Sequence, residues 1–214
     1  MPDVKFCGLT RETDASFVAE AGGAYAGVIF AGGPRELAPE RAARVLAAAG
    51  PAIRRVGVFG RDFRARLPRV LAATPLDVVQ LHADPSVDDV REARALFGGV
   101  IWATVRVEGT AIPGVAASLI AEADALLLDA RVDGALGGSG VALPWPALAD
   151  QLTRIRCGGT VVLAGGLTAE NVEDAAAALE PDVVDVSSGV EEAPGVKVHE
   201  RMVAFAQAAR RTLR

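Results

Sequence analysis

The chain has 214 residues, 51% hydrophobic and 23% charged, the balance of a soluble globular protein long enough for one large domain or two small ones. Its 22 basic and 27 acidic side chains give a net charge of -5 with the arginines scattered, which argues against a nucleic-acid partner. No apolar run approaches the roughly 18 residues of a membrane span. There is no apolar signal segment either, and the two cysteines form no CxxC; no membrane association, disulfide framework or metal site is expected, and the setting is read as reduced and cytoplasmic.

Short β-branched runs alternate with longer segments of helical spacing, the pattern of βα units on a parallel sheet. The first strand and its turn are Val4-Lys5-Phe6-Cys7-Gly8-Leu9-Thr10, with Lys5 and Cys7 on one face. A helix N-capped by Thr10 or Thr13 follows and closes at Gly22-Gly23. The second strand is Tyr25 to Phe30, then the loop Ala31-Gly32-Gly33-Pro34-Arg35 and a helix from Pro39 to Ala49. Strand three is Arg55 to Phe59, with a helix from Asp62 to Ala73. Strand four, Asp77 to Leu81, ends in His82, and Ser-Val-Asp-Asp from Ser86 reads as a capping-box start to its helix.

Strand five is Val100 to Val105 with a short helix from Val115 to Glu122, and strand six, Ala125 to Leu128, ends on Asp129. A glycine-rich loop from Ala130 to Gly140, suited to closing as a lid, precedes a helix from Pro146 to Thr153. Strand seven, Thr160 to Ala164, runs into Gly165-Gly166-Leu167 and a helix from Ala169 to Leu179. Strand eight, Val183 to Val186, meets Ser187-Ser188-Gly189, and the last helix covers Val196 to Arg210. Eight strands in strict alternation with eight helices and no linker predict a single (β/α)8 TIM barrel over residues 1–214. A doubly wound sheet satisfies the same alternation.

In such a barrel the loops after the strands build the site. That end gathers Cys7, Arg35, His82, Asp129, Gly165-Gly166 and Ser187-Ser188-Gly189. The two turns offer backbone N–H groups and helix N-termini to an anion, and their adjacency favours a phosphosugar. Asp129, following four apolar residues, is placed where desolvation raises a carboxyl and suits it to general-acid work. A free cysteine is most often a small buried hydrophobe. Cys7 becomes a base only if positive charge lowers its thiol, and Lys5 is the nearest source. Lys5, buried in a strand, needs a partner, and Asp185 across the strand 1/strand 8 seam is predicted within about 6 Å. Cys157 is expected at the opposite end as a structural residue, His199 as a solvated surface residue, and Trp102 and Trp145 as packing.

These residues resemble the phosphoribosylanthranilate isomerase family of tryptophan biosynthesis. The stretches that carry the resemblance are Lys5-Phe6-Cys7-Gly8-Leu9-Thr10, Pro34-Arg35, Val79-Gln80-Leu81-His82, Leu127-Leu128-Asp129, Gly137-Gly138-Ser139-Gly140, Ala164-Gly165-Gly166-Leu167 and Val184 to Glu191 with Pro194-Gly195-Val196-Lys197. The chain departs from the family pattern at Gly33, Ala83, Ser139 and Val198. The resemblance implies an Amadori rearrangement of N-(5'-phosphoribosyl)anthranilate, with Asp129 as general acid, Cys7 as general base, Arg35 on the anthranilate carboxylate and the two late turns on the phosphate. Lys5, His82 and Asp185 would support them. It implies no metal or organic cofactor, because the imine is its own electron sink. The alternative is a non-catalytic or substrate-shifted phosphosugar-binding relative, against which the retention of both Cys7 and Asp129 speaks. A monomer is expected, since no element reads as an exposed apolar seam.

Overall fold

Alternate residues of each strand go to two separate apolar layers, as a parallel sheet closed upon itself requires. The computed structural model describes residues 1–130 and 144–211. Its strands β1 (Asp3–Phe6), β2 (Tyr25–Phe30), β3 (Arg54–Phe59), β4 (Val78–Leu81), β5 (Val100–Val107), β6 (Ala125–Ala130), β7 (Thr160–Leu163) and β8 (Val183–Val186) pair in sequence order. They form a closed parallel barrel. One set of side chains, including Val56, Val78, Trp102, Leu127 and Val183, fills the barrel interior. Their neighbours, such as Phe6, Leu81, Ile101, Leu126 and Val184, face the surrounding helices.

Those helices are α1 (Glu12–Ser16), α2 (Pro39–Ala48), α3 (Phe63–Ala73), α4 (Val87–Leu96), α5 (Ala116–Glu122), α6 (Trp145–Arg156), α7 (Val172–Leu179) and α8 (His199–Ala209). Ser86 and Asp89 cap α4 reciprocally, as the sequence spacing predicts. Trp102 packs against Tyr25 inside the barrel, and Trp145 packs against the outer core. The glycine-rich loop after β6, whose glycines suit it to closure, lies from position 131 to 143 outside the described residues.

Several local expectations change. The first helix is one short segment whose N-cap is Arg11, with neither Thr10 nor Thr13 capping it. Val196 does not begin the last helix. Val196–Lys197 (β10) pairs antiparallel with Glu191–Ala193 (β9), because Pro194-Gly195, with Gly195 at φ +82°, turns the chain back. Val198 then takes the N-cap of α8 with no side-chain bond. His199 keeps its place at the surface, with its side chain 38% exposed, but it has partners there: its ring stacks on Phe17 with centroids 4.2 Å apart, and Nε2 lies 3.1 Å from the buried Asp14 carboxylate. Cys157 does lie at the far end, but exposed and left-handed at the end of α6.

The predicted ion pair forms at the seam that closes the barrel. Lys5 and Asp185 are direct register partners of β1 and β8, and Lys5 Nζ donates to Asp185 Oδ2 at 2.8 Å with both residues buried. Burial alone would push the ammonium down; the Asp185 carboxylate and Cys7 overcome it and hold Lys5 above the ordinary lysine value. The pair's contribution is therefore present through neutral pH and lost only as pH rises through that raised value. Lys5→Met, which strands the Asp185 charge, should cost about 3–5 kcal/mol in urea unfolding at neutral pH, while Lys5→Met/Asp185→Leu should recover most of it. Equal loss in both variants would deny that the stranded charge is the cause.

Candidate active site

The inward-facing series of four strands continue past the interior layer to one rim: Lys5 to Cys7, Gln80 to His82, Leu127 to Asp129, and Asp185 to Ser187. They open on a cavity of about 420 Å³. Every residue predicted for the site lines it except Lys5, which lies fully buried beneath. Gln80, in β4, joins them from below. Among the described residues no group of three or more His, Cys, Asp or Glu is placed to hold a metal ion.

Cys7 stands just past β1, its N–H donating to Val186 O at 2.8 Å. The next residue must be glycine: Gly8 has φ +68°, and a Cβ there would stand 2.7 Å from Arg35 Cδ. The side chain of Arg35 therefore lies across the end of β1. Burial pushes the Cys7 thiol up, and the charges of Lys5 and Lys197 oppose that without reversing it. Lys5 does act to lower the thiol, as its place on the same face suggests, but burial outweighs it and the Asp185 carboxylate beside it works in the same direction as burial.

Asp129 is an inward residue of β6 and only 4% exposed. His82 Nε2 lies 3.3 Å from its Oδ2. On the ring's other side, Nδ1 lies 3.1 Å from Gln80 Nε2 and 3.3 Å from Thr104 Oγ1. With the Gln80 amide nitrogen as donor, Nδ1 accepts and Nε2–H is the edge that faces Asp129. Gly165, at φ +88°, lets the turn after β7 close on this group; a Cβ there would come within 2.6 Å of Ala130 N and 3.1 Å of Asp129 Oδ1.

Arg35 does not stand free. Its Nε donates to Glu191 Oε1 at 3.0 Å and its Nη2 to Oε2 at 2.6 Å. Glu191 also accepts from Lys197 Nζ at 2.8 Å and Gly195 N at 3.1 Å. Burial alone would raise the Glu191 carboxyl, but Arg35 and Lys197 outweigh it and hold it below its ordinary value. Sequence reasoning quoted Glu191 and Lys197 in a motif without giving them work. The signal was available: a Pro-Gly turn with one charged residue on either side is a hairpin that brings those charges together.

The late turns keep their places at the rim, although α7 starts at Val172 and not at Ala169. Asn171 organises the approach, accepting from Thr168 N at 2.8 Å and donating to Gly166 O at 2.9 Å. After β8 the chain enters a 3₁₀ turn, Ser188–Val190. Ser187 Oγ, Asp185 Oδ1 and Gln80 Oε1 are buried and have no hydrogen-bond partner among the described residues. The cavity thus combines a thiol, a carboxyl, unpaired acceptors suited to sugar hydroxyls, and a cationic rim suited to acidic groups.

Residues 4–208 match the family model described as N-(5'phosphoribosyl)anthranilate (PRA) isomerase. An N-(5'-phosphoribosyl)anthranilate isomerase of Acidithiobacillus ferrooxidans is 39% identical over 213 residues, covering 99% of both chains. The crystal structure of the phosphoribosyl anthranilate isomerase of Thermus thermophilus superposes with a TM-score of 0.85 at 35% identity, covering 99% of this chain and 100% of that one. A structure of this isomerase in complex with reduced 1-(o-carboxyphenylamino)-1-deoxyribulose 5-phosphate gives a TM-score of 0.84 at 30% identity, covering 98% and 99%.

Because burial holds the Cys7 thiol up while Cys157 is exposed, iodoacetamide at about pH 7.5 should alkylate Cys157 first and Cys7 more slowly, with Cys7 gaining as pH rises. Peptide mass spectrometry of the time course reads both. Faster labelling of Cys7 would show that the cations around it prevail over burial.

Proposed function

The chain belongs to the N-(5'-phosphoribosyl)anthranilate isomerase family, and from that premise we propose that Cys7 and Asp129 are the base and acid of its reaction. It is an isomerase of tryptophan biosynthesis. It converts N-(5'-phosphoribosyl)anthranilate into 1-(2-carboxyphenylamino)-1-deoxyribulose 5-phosphate by an Amadori rearrangement. The observation that carries the residue assignment is that one cavity holds a thiol from the end of β1 and a histidine-backed carboxyl from β6.

Asp129 in its protonated form gives its proton to the furanose ring oxygen as the C1'–O4' bond breaks. The anilino nitrogen lone pair then forms the C1'=N iminium. The Cys7 thiolate removes the C2' proton, the C–H electrons form the C1'=C2' bond, and the nitrogen regains its pair. The enolamine becomes the ketone as the C2' hydroxyl loses its proton and C1' gains one. Only the thiolate can act, and burial keeps it scarce in the free enzyme. The iminium formed in the first step places a positive charge beside Cys7 and favours that thiolate, so ring opening promotes the step that follows it.

Arg35 meets the anthranilate carboxylate with the part of its guanidinium that Glu191 does not occupy. Gly165, Gly166, Ser187, Ser188 and Gly189 take the phosphate, and the unpaired oxygens of Asp185 and Gln80 accept from ribose hydroxyls. Lys5 and His82 support the base and the acid. The reaction calls on no metal or organic cofactor, since the iminium itself draws the C2' electrons. The chain works as one domain and as a monomer. Its exposed large apolar side chains among the described residues are Met1, Leu96, Val100 and Val115, which supports that state. Its free thiols support a cytoplasmic setting, and among the described residues no helix is long and apolar enough to cross a membrane.

Following loss of phosphoribosylanthranilate fluorescence, Asp129→Asn and Cys7→Ser should each lower kcat by about 10²–10⁴. Arg35→Lys should raise KM more than it lowers kcat. Undiminished turnover in Cys7→Ser or Asp129→Asn would remove that residue from its role.

A further inference from the structure

A third cation at this rim has no part in the chemistry above. Lys197 lies on β10, its side chain fully buried. Its Nζ reaches three oxygens: the carbonyl of Cys7, the carbonyl of Ser187 at 3.2 Å and Glu191 Oε1 at 2.8 Å. The β1/β8 ladder explains why a donor is wanted there. Its last backbone bond runs from Cys7 N to Val186 O. Continued parallel pairing would join the Ser188 N–H to Cys7 O, but at Ser188 the chain turns into the 3₁₀ segment instead. Cys7 O would be left at a buried strand end with no ladder donor, and Ser187 O would keep only the long 3₁₀ bond from Val190 N at 3.4 Å. The Lys197 ammonium supplies that donor to both. Its own backbone is fixed in turn, since Lys197 N donates at 3.1 Å to Asp14, a fully buried carboxylate also held by Arg11 and His199.

We propose that Lys197 is a positioning residue whose ammonium, seated by Glu191, holds the end of β1 that carries Cys7 and the end of β8 that opens the phosphate turn in one frame. The proposal rests on the assignment of Cys7 as the base. Through Glu191 the same frame reaches Arg35, so the two buried charges of one hairpin tie together the groups assigned to the proton, the phosphate and the carboxylate.

The charged and titratable groups around the thiol are Lys5 on its own strand, Asp185 on β8, Lys197 on β10 with Glu191 on β9, Arg35 after β2, and His82 and Asp129 across the cavity. Among them Lys197 acts to lower the thiol, so its removal moves the thiol upward. A residue with only a structural role would change stability and leave that titration in place.

The test uses the full chain with the exposed Cys157 changed to serine, so that alkylation reports Cys7 alone. In Lys197→Met the midpoint of iodoacetamide labelling should move to higher pH. In the same variant kcat should fall by about tenfold, and competitive inhibition by inorganic phosphate should weaken by about tenfold as well. If Lys197→Met does not give the wild-type far-ultraviolet circular dichroism, Lys197→Met/Glu191→Gln removes the stranded carboxylate and carries the same readouts. An unchanged labelling midpoint in a folded variant overturns the proposal. A shifted midpoint with unchanged phosphate inhibition overturns the shared frame. Cys7→Ser assayed alongside separates this from the parent reading: full activity there defeats the base assignment, while the labelling midpoint still decides whether Lys197 sets the thiol.

Discussion

A buried lysine and a buried aspartate meet where the first strand closes on the last, and the placement of the rim follows from that meeting. Lys5 and Asp185 sit in register within the barrel interior at 2.8 Å. The pairing aligns each residue two places further on, Cys7 and Ser187, at the mouth of the cavity. A slip of one residue between β1 and β8 would send Lys5 into the helix-facing layer with Phe6 and Val4 and turn Cys7 away from the site. A buried ion pair adds little net stability against an apolar pair, yet breaking it by half is costly. Its effect here is specificity of register at the seam where the Cys7 thiol stands.

Charge at the rim is arranged in pairs that leave few groups unengaged. Lys5 faces Asp185, while Lys197 and Arg35 share Glu191. Two cations at the rim share one carboxylate, yet burial still keeps the Cys7 thiol above its ordinary value. In the proposed assignment of Cys7 as the base, a thiol held back in this way matches a reaction whose first step generates a cation beside it. The proposed acid is handled differently: Asp129 faces an imidazole edge whose tautomer is set by Gln80, an interior residue of β4.

The barrel and most of its rim were legible in the sequence because both follow from period. Alternation by two assigns each strand residue to the interior or to the helices, and continuing the count past each strand end gives Cys7, His82, Asp129 and Ser187. The hairpin after β8 was not legible by that rule, since Val196-Lys197 reads equally as the start of α8 and only the left-handed Gly195 turns it into a strand. Glu191 and Lys197 were hidden with it. The surface place of His199 was legible but its partners were not, because Phe17 and Asp14 lie more than 180 residues away in the chain. The raised state of the Cys7 thiol was not legible, because a sequence places Lys5 near the thiol without weighing that charge against burial.

The division of labour between Asp129 and Cys7 is tested most directly by single-turnover kinetics with substrate carrying deuterium at C2'. If Cys7 takes the C2' proton and Asp129 opens the ring, Cys7→Ser should show a full primary isotope effect, because proton abstraction has become the slow step. Asp129→Asn should show almost none, because ring opening, which breaks no bond to deuterium, then limits the rate. The same isotope effect in both variants would contradict the account, since it would mean that the two residues serve one step rather than two.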